Sequence, residues 1–382
     1  MTILHLISSE GYYGAEAVVV SLARNSARLG CEVVIGVFGD SRGPHTEIAE
    51  QARRVGLAVE VVPVDGRWDW KVIGRLRKLA ESGIDILHAH GYKADFYACL
   101  AAWPNRFATI STCHNWPNRR RLMQFYGSLD RLLLRRFGKA VAVSDSVAAV
   151  LRRSGLTRQK ITTIPNGVDM ELFNDAKPAL RFQSGWECKP IVGFVGRLVE
   201  CKGGPVFLRA AQMVLQDHPD VLFAVTGDGP LRDAWETLAV RLGIAGKVAF
   251  LGARRDMPAI YSSLDMLVLP SLDEATPVCI LEAQACGKAV IATRVGGVPS
   301  LIVPGITGIL VEPNDAHGLA EAIARLLEEP ELARRLGENG RLHIAEHYSA
   351  EGMAARYLEQ YREILAKRQR GEPRLAHSAG KI

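Results

Sequence analysis

Nothing in this chain of 382 residues is apolar for long enough to cross a bilayer, which takes about 20 residues in a helix. The seven cysteines are an odd number with no Cys-x-x-Cys pair and no metal-ligand spacing. Neither a disulfide framework nor a zinc module is expected, and reduced thiols fit the cytosol. Residues 1–9 lack the basic start and the long apolar core of a secretory leader, which gives the same compartment. The first glycine loop, residues 8–14, does not have Gly-x-Gly-x-x-Gly spacing, which argues against a dehydrogenase. No Asp-x-Asp occurs anywhere, so no cofactor or bound metal is expected. Charge of one sign is also scarce. Its 47 basic and 41 acidic residues leave a formal +6, too little to imply nucleic acid, and none is expected as a partner.

What is present centres on residues 270–287. Leu267-Val268-Leu269 is an apolar run of strand length, and Pro270 ends it. Thr276 suits the N-cap of a following helix, Pro277 its first position, and Gly287 the left-handed residue at its end. Glu274 then lies in the loop and Glu282 inside the helix. A helix start offers free amides and the positive end of the dipole to a phosphate. Because Pro277 has no N–H, those amides would come from Ala275, Thr276, Val278 and Cys279. Glu282, flanked by Ile280, Leu281 and Ala283, needs hydrogen bonds, and the vicinal hydroxyls of a sugar or ribose would supply them. The plainer alternative makes Glu282 a solvated helix residue and Glu274 a loop acid.

Elsewhere strand and helix signals alternate, which means βαβ units and parallel sheets. Ile3 to Ile7 is a strand, followed by the loop to Gly14 and a helix from Ala15. His88, His90 and His114 lie at or just after strand ends, where such sheets bind ligands. Residues 118–139 carry Arg119, Arg120, Arg121, Arg131, Arg135, Arg136 and Lys139 against one acid, Asp130, with leucines and aromatics at helical spacing. A basic amphipathic helix of this kind can rest on an anionic membrane, and a core-facing stripe with a solvated back is the alternative. Residues 181–189 are polar and read as a linker. Ile191 to Val195 is a strand that delivers Arg197, with Lys202 expected at the next helix start. A forked guanidinium and a point-charge ammonium together suit a diphosphate.

These strings resemble the retaining glycosyltransferases of family four across nearly the whole chain. Glu274 and Glu282 match that family's Glu-x7-Glu motif. Gly196-Arg197-Leu198-x3-Lys202-Gly203 matches its phosphate pattern, and Gly14-Ala15-Glu16 its first glycine loop. Three positions depart: Tyr13 replaces a glycine, Ala275-Thr276-Pro277 replaces Gly-aromatic-Gly, and Ser300 stands where many relatives have Glu. The resemblance implies an α/β GT-B fold of two Rossmann-like domains with parallel sheets facing across a cleft. Residues 1–168 would be the acceptor domain and 169–348 the nucleotide-sugar domain. A crossover helix, 349–367, would return to the first domain, followed by a disordered tail, 368–382. It implies donor contacts from Gly14, Arg197, Lys202, Glu274, Thr276, Val278, Cys279 and Glu282. His114, Glu274, Arg197 and Lys202 would carry catalysis. The expected partners are a nucleoside diphosphate sugar and an acceptor hydroxyl, the latter on a lipid-linked glycan if 118–139 rests on the inner face of the cytoplasmic membrane. A sugar-nucleotide epimerase on the same fold and a non-catalytic membrane-surface module are the competing readings.

Overall fold

The structure, a computed structural model, describes residues 1–8, 11–40, 47–66, 69–81, 83–103, 107–114, 121–183, 186 and 188–370. It divides into two units, Met1–Gly167 with the chain from Ala350 onward, and Val168–Ser349. In the first, the strands are β1 (Thr2–Ile7), β2 (Glu32–Asp40), β3 (Ala58–Val64), β4 (Ile86–His90), β5 (Ala108–Cys113), β6 (Lys139–Ala142) and β7 (Ile161–Thr163). They form one parallel sheet in the order β3-β2-β1-β4-β5-β6-β7. The second unit holds β8 (Ile191–Val195), β9 (Leu222–Thr226), β10 (Val248–Gly252), β11 (Met266–Leu269), β12 (Ala289–Thr293) and β13 (Ile309–Val311). Their order is β10-β9-β8-β11-β12-β13, again all parallel.

The central strands are continuous apolar runs because helices cover both faces of each sheet. In β8, Val192 and Phe194 enter one core cluster while Ile191 and Val195 enter another, as the two-residue period of a strand requires. In each sheet the chain order reverses beside the unit's first strand. β1 lies between β2 and β4, and β8 between β9 and β11. Connections leaving such a strand pair run to opposite faces, and the crevice at their carboxyl ends is where open sheets bind ligands.

The last helix, Ala350–Gln369, belongs to the first unit and packs on the helix Gly14–Arg28 and on β5. Its Tyr361 hydroxyl lies 2.7 Å from His88 Nδ1. Thr112 Oγ1 joins His88 Nε2, at 2.7 Å, to the Tyr357 hydroxyl, at 2.8 Å. Arg368 and Gln369, expected in the tail, still form its last turn, and residues 371–382 lie outside the described residues.

Two sequence expectations need correction here. The basic run is not one helix to Lys139. The helix is Arg121–Leu134, and Lys139 begins β6, where it is buried and pairs with Glu363 at 3.1 Å. Arg119 and Arg120 lie outside the described residues. The stretch 181–189 is not a free linker either. Arg181 sits in a short helix, Ala179–Gln183, and its guanidinium donates to both Asp265 oxygens at 2.8 Å. Among the described residues no helix is long and apolar enough to cross a membrane.

One buried pair makes stability depend on pH. Asp95, on the helix Tyr92–Ala101, is 1% exposed and faces Asp130, which is 3% exposed. Burial, and then the charge of Asp130, raise the Asp95 pKa well above the usual carboxylate range, against a hydrogen bond to Ser111. The folded state therefore holds a proton that the unfolded chain releases, so stability falls as pH rises past the ordinary carboxylate range. Asp95→Asn should melt higher than the parent at pH 8, by a margin that is much smaller at about pH 4. Parallel melting curves at both pH values would show that the pair does not share a proton.

Candidate active site

The second unit's site is assembled where β8 and β11 end. β8 is wholly buried and delivers Gly196 and the exposed Arg197 at its carboxyl end. Lys202 does not open the long helix as expected. It closes a 3-10 turn, Glu200–Lys202, and the helix runs Gly204–Asp217. Gly203 between them has φ +70°, and a Cβ there would stand 2.0 Å from the Pro270 carbonyl oxygen. Only glycine allows this approach, which sets the turn against the loop after β11. Lys202 Nζ consequently reaches Glu274 Oε1 at 2.5 Å.

Glu274 is held from several sides. The Ser271 hydroxyl donates to the same carboxylate oxygen at 2.7 Å, and the Thr293 hydroxyl donates to the Ser271 carbonyl. Gly297 N–H donates to the Glu274 carbonyl at 3.0 Å. Gly296, at φ +51°, lies so close that its Cβ would be 1.8 Å from that carbonyl oxygen.

The helix that follows is Val278–Ala285, and its start differs from expectation. Pro277, not Thr276, is the N-cap, because its ψ of 114° keeps it outside the helix. The N-cap residue offers no side-chain acceptor to this end, so the first amides, at Val278 and Cys279, are not capped by it. The other end is as expected. Gly287 has φ +67°, its N–H donates to Gln284, and Lys288 N–H donates to Ala283, which satisfies the last carbonyls. Glu282 is half-buried on this helix, and the Tyr261 hydroxyl donates to its Oε2 at 2.7 Å.

In the first unit, Gly14 opens the helix Gly14–Arg28, and Tyr13 N–H donates to the Glu16 carboxylate at 3.0 Å. His114 directly follows β5, and its Nε2 has no partner among the described residues. Arg197, Lys202, Glu274, Thr276, Val278, Cys279 and Glu282 thus belong to one unit, and Gly14 and His114 to the other.

Residues 12–172 match the family described as Glycosyltransferase Family 4, and residues 176–343 match Glycosyl transferases group 1. The D-inositol 3-phosphate glycosyltransferase of Corynebacterium jeikeium is 32% identical over 325 residues, 76% of this chain and 76% of the relative. The protein of that name from Corynebacterium urealyticum is 31% identical over 300 residues, 74% of this chain and 68% of the relative. The chain belongs to glycosyltransferase family 4. Its fold is GT-B, matching the crystal structure of Anabaena HepE in complex with UDP and glucose. That match has a TM-score of 0.85 at 23% identity and covers 95% of this chain and 100% of the other.

The electrostatics of this family 4 glycosyltransferase follow from burial and partners. Burial works against the Lys202 ammonium, but the Glu274 carboxylate outweighs it, and the lysine's pKa ends above its usual value. Burial pushes Glu282 up to about 7, against the lowering effect of the bond from Tyr261. Cys279 is pushed up to about 12 by burial, which leaves it an unreactive thiol. His114 is brought down to about 4 by burial and is neutral at physiological pH.

Among the described residues, one group brings three ligand-type atoms within 4.8 Å of one another: His5, His88 and His90. His5 Nδ1 lies 3.0 Å from His90 Nε2, and both His88 nitrogens are taken by Tyr361 and Thr112. These contacts make the group a hydrogen-bonded core of the first unit. Ser271, Thr293 and Tyr261 are the site residues that the sequence did not disclose. Ser271 lies inside the motif stretch, where its position before Glu274 was a usable signal. Tyr261 lies 21 residues before Glu282 on another helix, with nothing local to mark it.

Proposed function

We propose that this glycosyltransferase moves a sugar from a nucleoside diphosphate sugar to an acceptor hydroxyl with retention at the anomeric carbon. The observation that carries the reading is the convergence at the ends of β8 and β11: a lysine, a carboxylate and a helix start, with a second carboxylate inside that helix. Arg197, Lys202 and the amides of Val278 and Cys279 would bind the diphosphate, with Thr276 and Ala275 beside them. Glu274 would accept hydrogen bonds from the donor sugar, and Glu282 from the ribose hydroxyls. Lys202 and Glu274 neutralise each other. Binding would exchange that pair for a lysine–phosphate and a carboxylate–hydroxyl contact.

No protein nucleophile is required. The acceptor hydroxyl enters on the leaving-group face, and a β-phosphate oxygen takes its proton. Positive groups around the diphosphate then stabilise the charge that grows as the glycosidic bond breaks. His114 and Gly14 would serve the first unit's side of the reaction. The chain should hydrolyse or transfer from one member of a panel of UDP-, GDP- and ADP-sugars with EDTA present, releasing product of unchanged anomeric configuration. Inverted product overturns retention. Activity lost with EDTA and restored by Mg²⁺ or Mn²⁺ overturns the metal-free mechanism.

For the acceptor, the basic stretch 118–139 favours a lipid-linked glycan, as in cell-surface polysaccharide assembly. Leu132 and Trp103 are exposed, and the Arg136 guanidinium lies 4.9 Å from the Trp103 ring. Basic and apolar groups together suit an anionic bilayer surface, each cation contributing about 1 kcal/mol and screened by salt. Vesicles containing phosphatidylglycerol should bind the protein at low salt and release it at high salt. Leu132→Ser with Arg136→Ser should weaken binding without changing donor affinity. A second reading, a soluble phosphorylated cyclitol as acceptor, is favoured by the names of the corynebacterial relatives. An absence of vesicle binding at low salt would select it.

A further inference from the structure

The proposed reading gives Glu282 to the ribose but leaves unexplained how one flexible side chain is aimed. Glutamate loses substantial rotamer entropy when fixed, and a ligand that must fix it binds more weakly. Tyr261 lies on the helix Met257–Ser263, has no exposed surface and packs edge-on to Phe173 at 6.1 Å. Its hydroxyl donates to Glu282 Oε2 at 2.7 Å. Among the described residues it is the one hydrogen-bond donor to this carboxylate, which leaves Oε1 to whatever enters the site. A carboxylate offers about four acceptor positions, so one bond to the phenol leaves room for both hydroxyls of a ribose.

We infer that Tyr261 is a positioning residue that locks the Glu282 carboxylate toward the ribose diol and so sets the enzyme's preference for ribonucleotides over deoxyribonucleotides. The inference rests on the reading of Glu282 as the ribose acceptor. The phenol is suited to this task because its ring is fixed by packing. Burial first, and then the Glu282 charge, hold its pKa well above 10, so it remains a donor throughout the working pH range. Its hydroxyl is bonded to Glu282, and it would act through that carboxylate. The bland possibility, that Tyr261 is one more core aromatic, predicts a loss of stability with no change in which sugar ring is preferred.

The test uses the full chain and equilibrium binding of ADP, GDP and UDP, each beside its 2′-deoxy and 3′-deoxy form. With the nucleotide that binds best, the parent protein should prefer the ribo form by about tenfold or more, the worth of a charge-assisted hydrogen bond. Tyr261→Phe should cut that ratio to about threefold or less, since only the aiming of the carboxylate is lost. Glu282→Gln should cut it likewise, and the double variant should be no worse than either, because residues acting through one contact are not additive. If Tyr261→Phe keeps the parent's ratio while Glu282→Gln loses it, the inference is overturned and the ribose reading stands. If the parent binds no nucleotide, has no ribo preference, or keeps it in Glu282→Gln, the ribose reading itself falls and the inference with it. Should Tyr261→Phe fail to fold, difluorotyrosine placed at 261 keeps the ring and makes a stronger donor. The ratio should then rise, and an unchanged ratio overturns the inference.

Discussion

Lys202→Ala is expected to lower kcat by a factor of about 100–1,000, the range found for removing one preorganised partner of a developing anion. The leaving diphosphate gains charge in the transition state, so an ammonium beside it stabilises that state more than the bound donor. The same substitution has a second effect. Glu274 is 8% exposed, and without Lys202 its charge retains the Ser271 hydroxyl but no cation among the described residues. A buried charge stripped of its partner destabilises the fold. Lys202→Ala should therefore also melt earlier, whereas Lys202→Ala with Glu274→Gln should recover the melting temperature and not kcat. Arg197 is exposed, so Arg197→Ala should lower kcat by a similar factor with little change in melting. Steady-state kinetics decide the matter. An effect on KM alone would mean uniform binding of the donor and would remove both residues from the catalytic role.

Nucleotide affinity should rise about tenfold between pH 6 and pH 8. That is the change in ionised fraction of a carboxyl that titrates at about 7, as burial makes Glu282 do. The sign follows from the raised pKa. Below 7 the group is largely protonated and accepts hydroxyl bonds poorly, and above 7 the carboxylate is present. Glu282→Ala should flatten the profile and, at pH 8, weaken binding by about 10- to 100-fold, equivalent to charge-assisted bonds of about 1.5–3 kcal/mol. The nucleotide's own phosphate titrates identically with both proteins, so the difference between the two profiles isolates Glu282. Calorimetry across this range on both proteins makes the comparison. Identical profiles would mean that Glu282 is a helix residue with no part in binding.

Much of the architecture was legible because it is written locally. The strand Ile191–Val195 has the bounds that its apolar run indicates, and the first strand differs from its reading by one residue. Glu274, Glu282 and the left-handed Gly287 follow from one stretch of punctuation residues. What was not legible is whatever depends on a distant partner. Arg181 reads as linker until Asp265, 84 residues on, receives its guanidinium. Lys139 counts as one more helix cation until it is found in β6 beside Glu363. Thr276 and Pro277 each satisfy a rule for the helix start. Which rule wins is set by the loop, tied at Glu274 by Gly296 and Gly297, and no local pattern reports that. The pairing of Lys202 with Glu274 spans 72 residues and becomes visible only once β8 and β11 are neighbours.

The helix Ala350–Gln369 sets the order in which the two units are completed on the ribosome. Domains generally fold as they emerge, the N-terminal one first. Here Val168–Ser349 is contiguous and has all its strands once residue 349 is clear, whereas the first unit still lacks its last helix. His88 waits for a hydroxyl partner made 273 residues later, and Thr112 for one made 245 residues later. During synthesis the earlier-made sheet therefore exposes the face that this helix covers, so the half translated first is the half finished last.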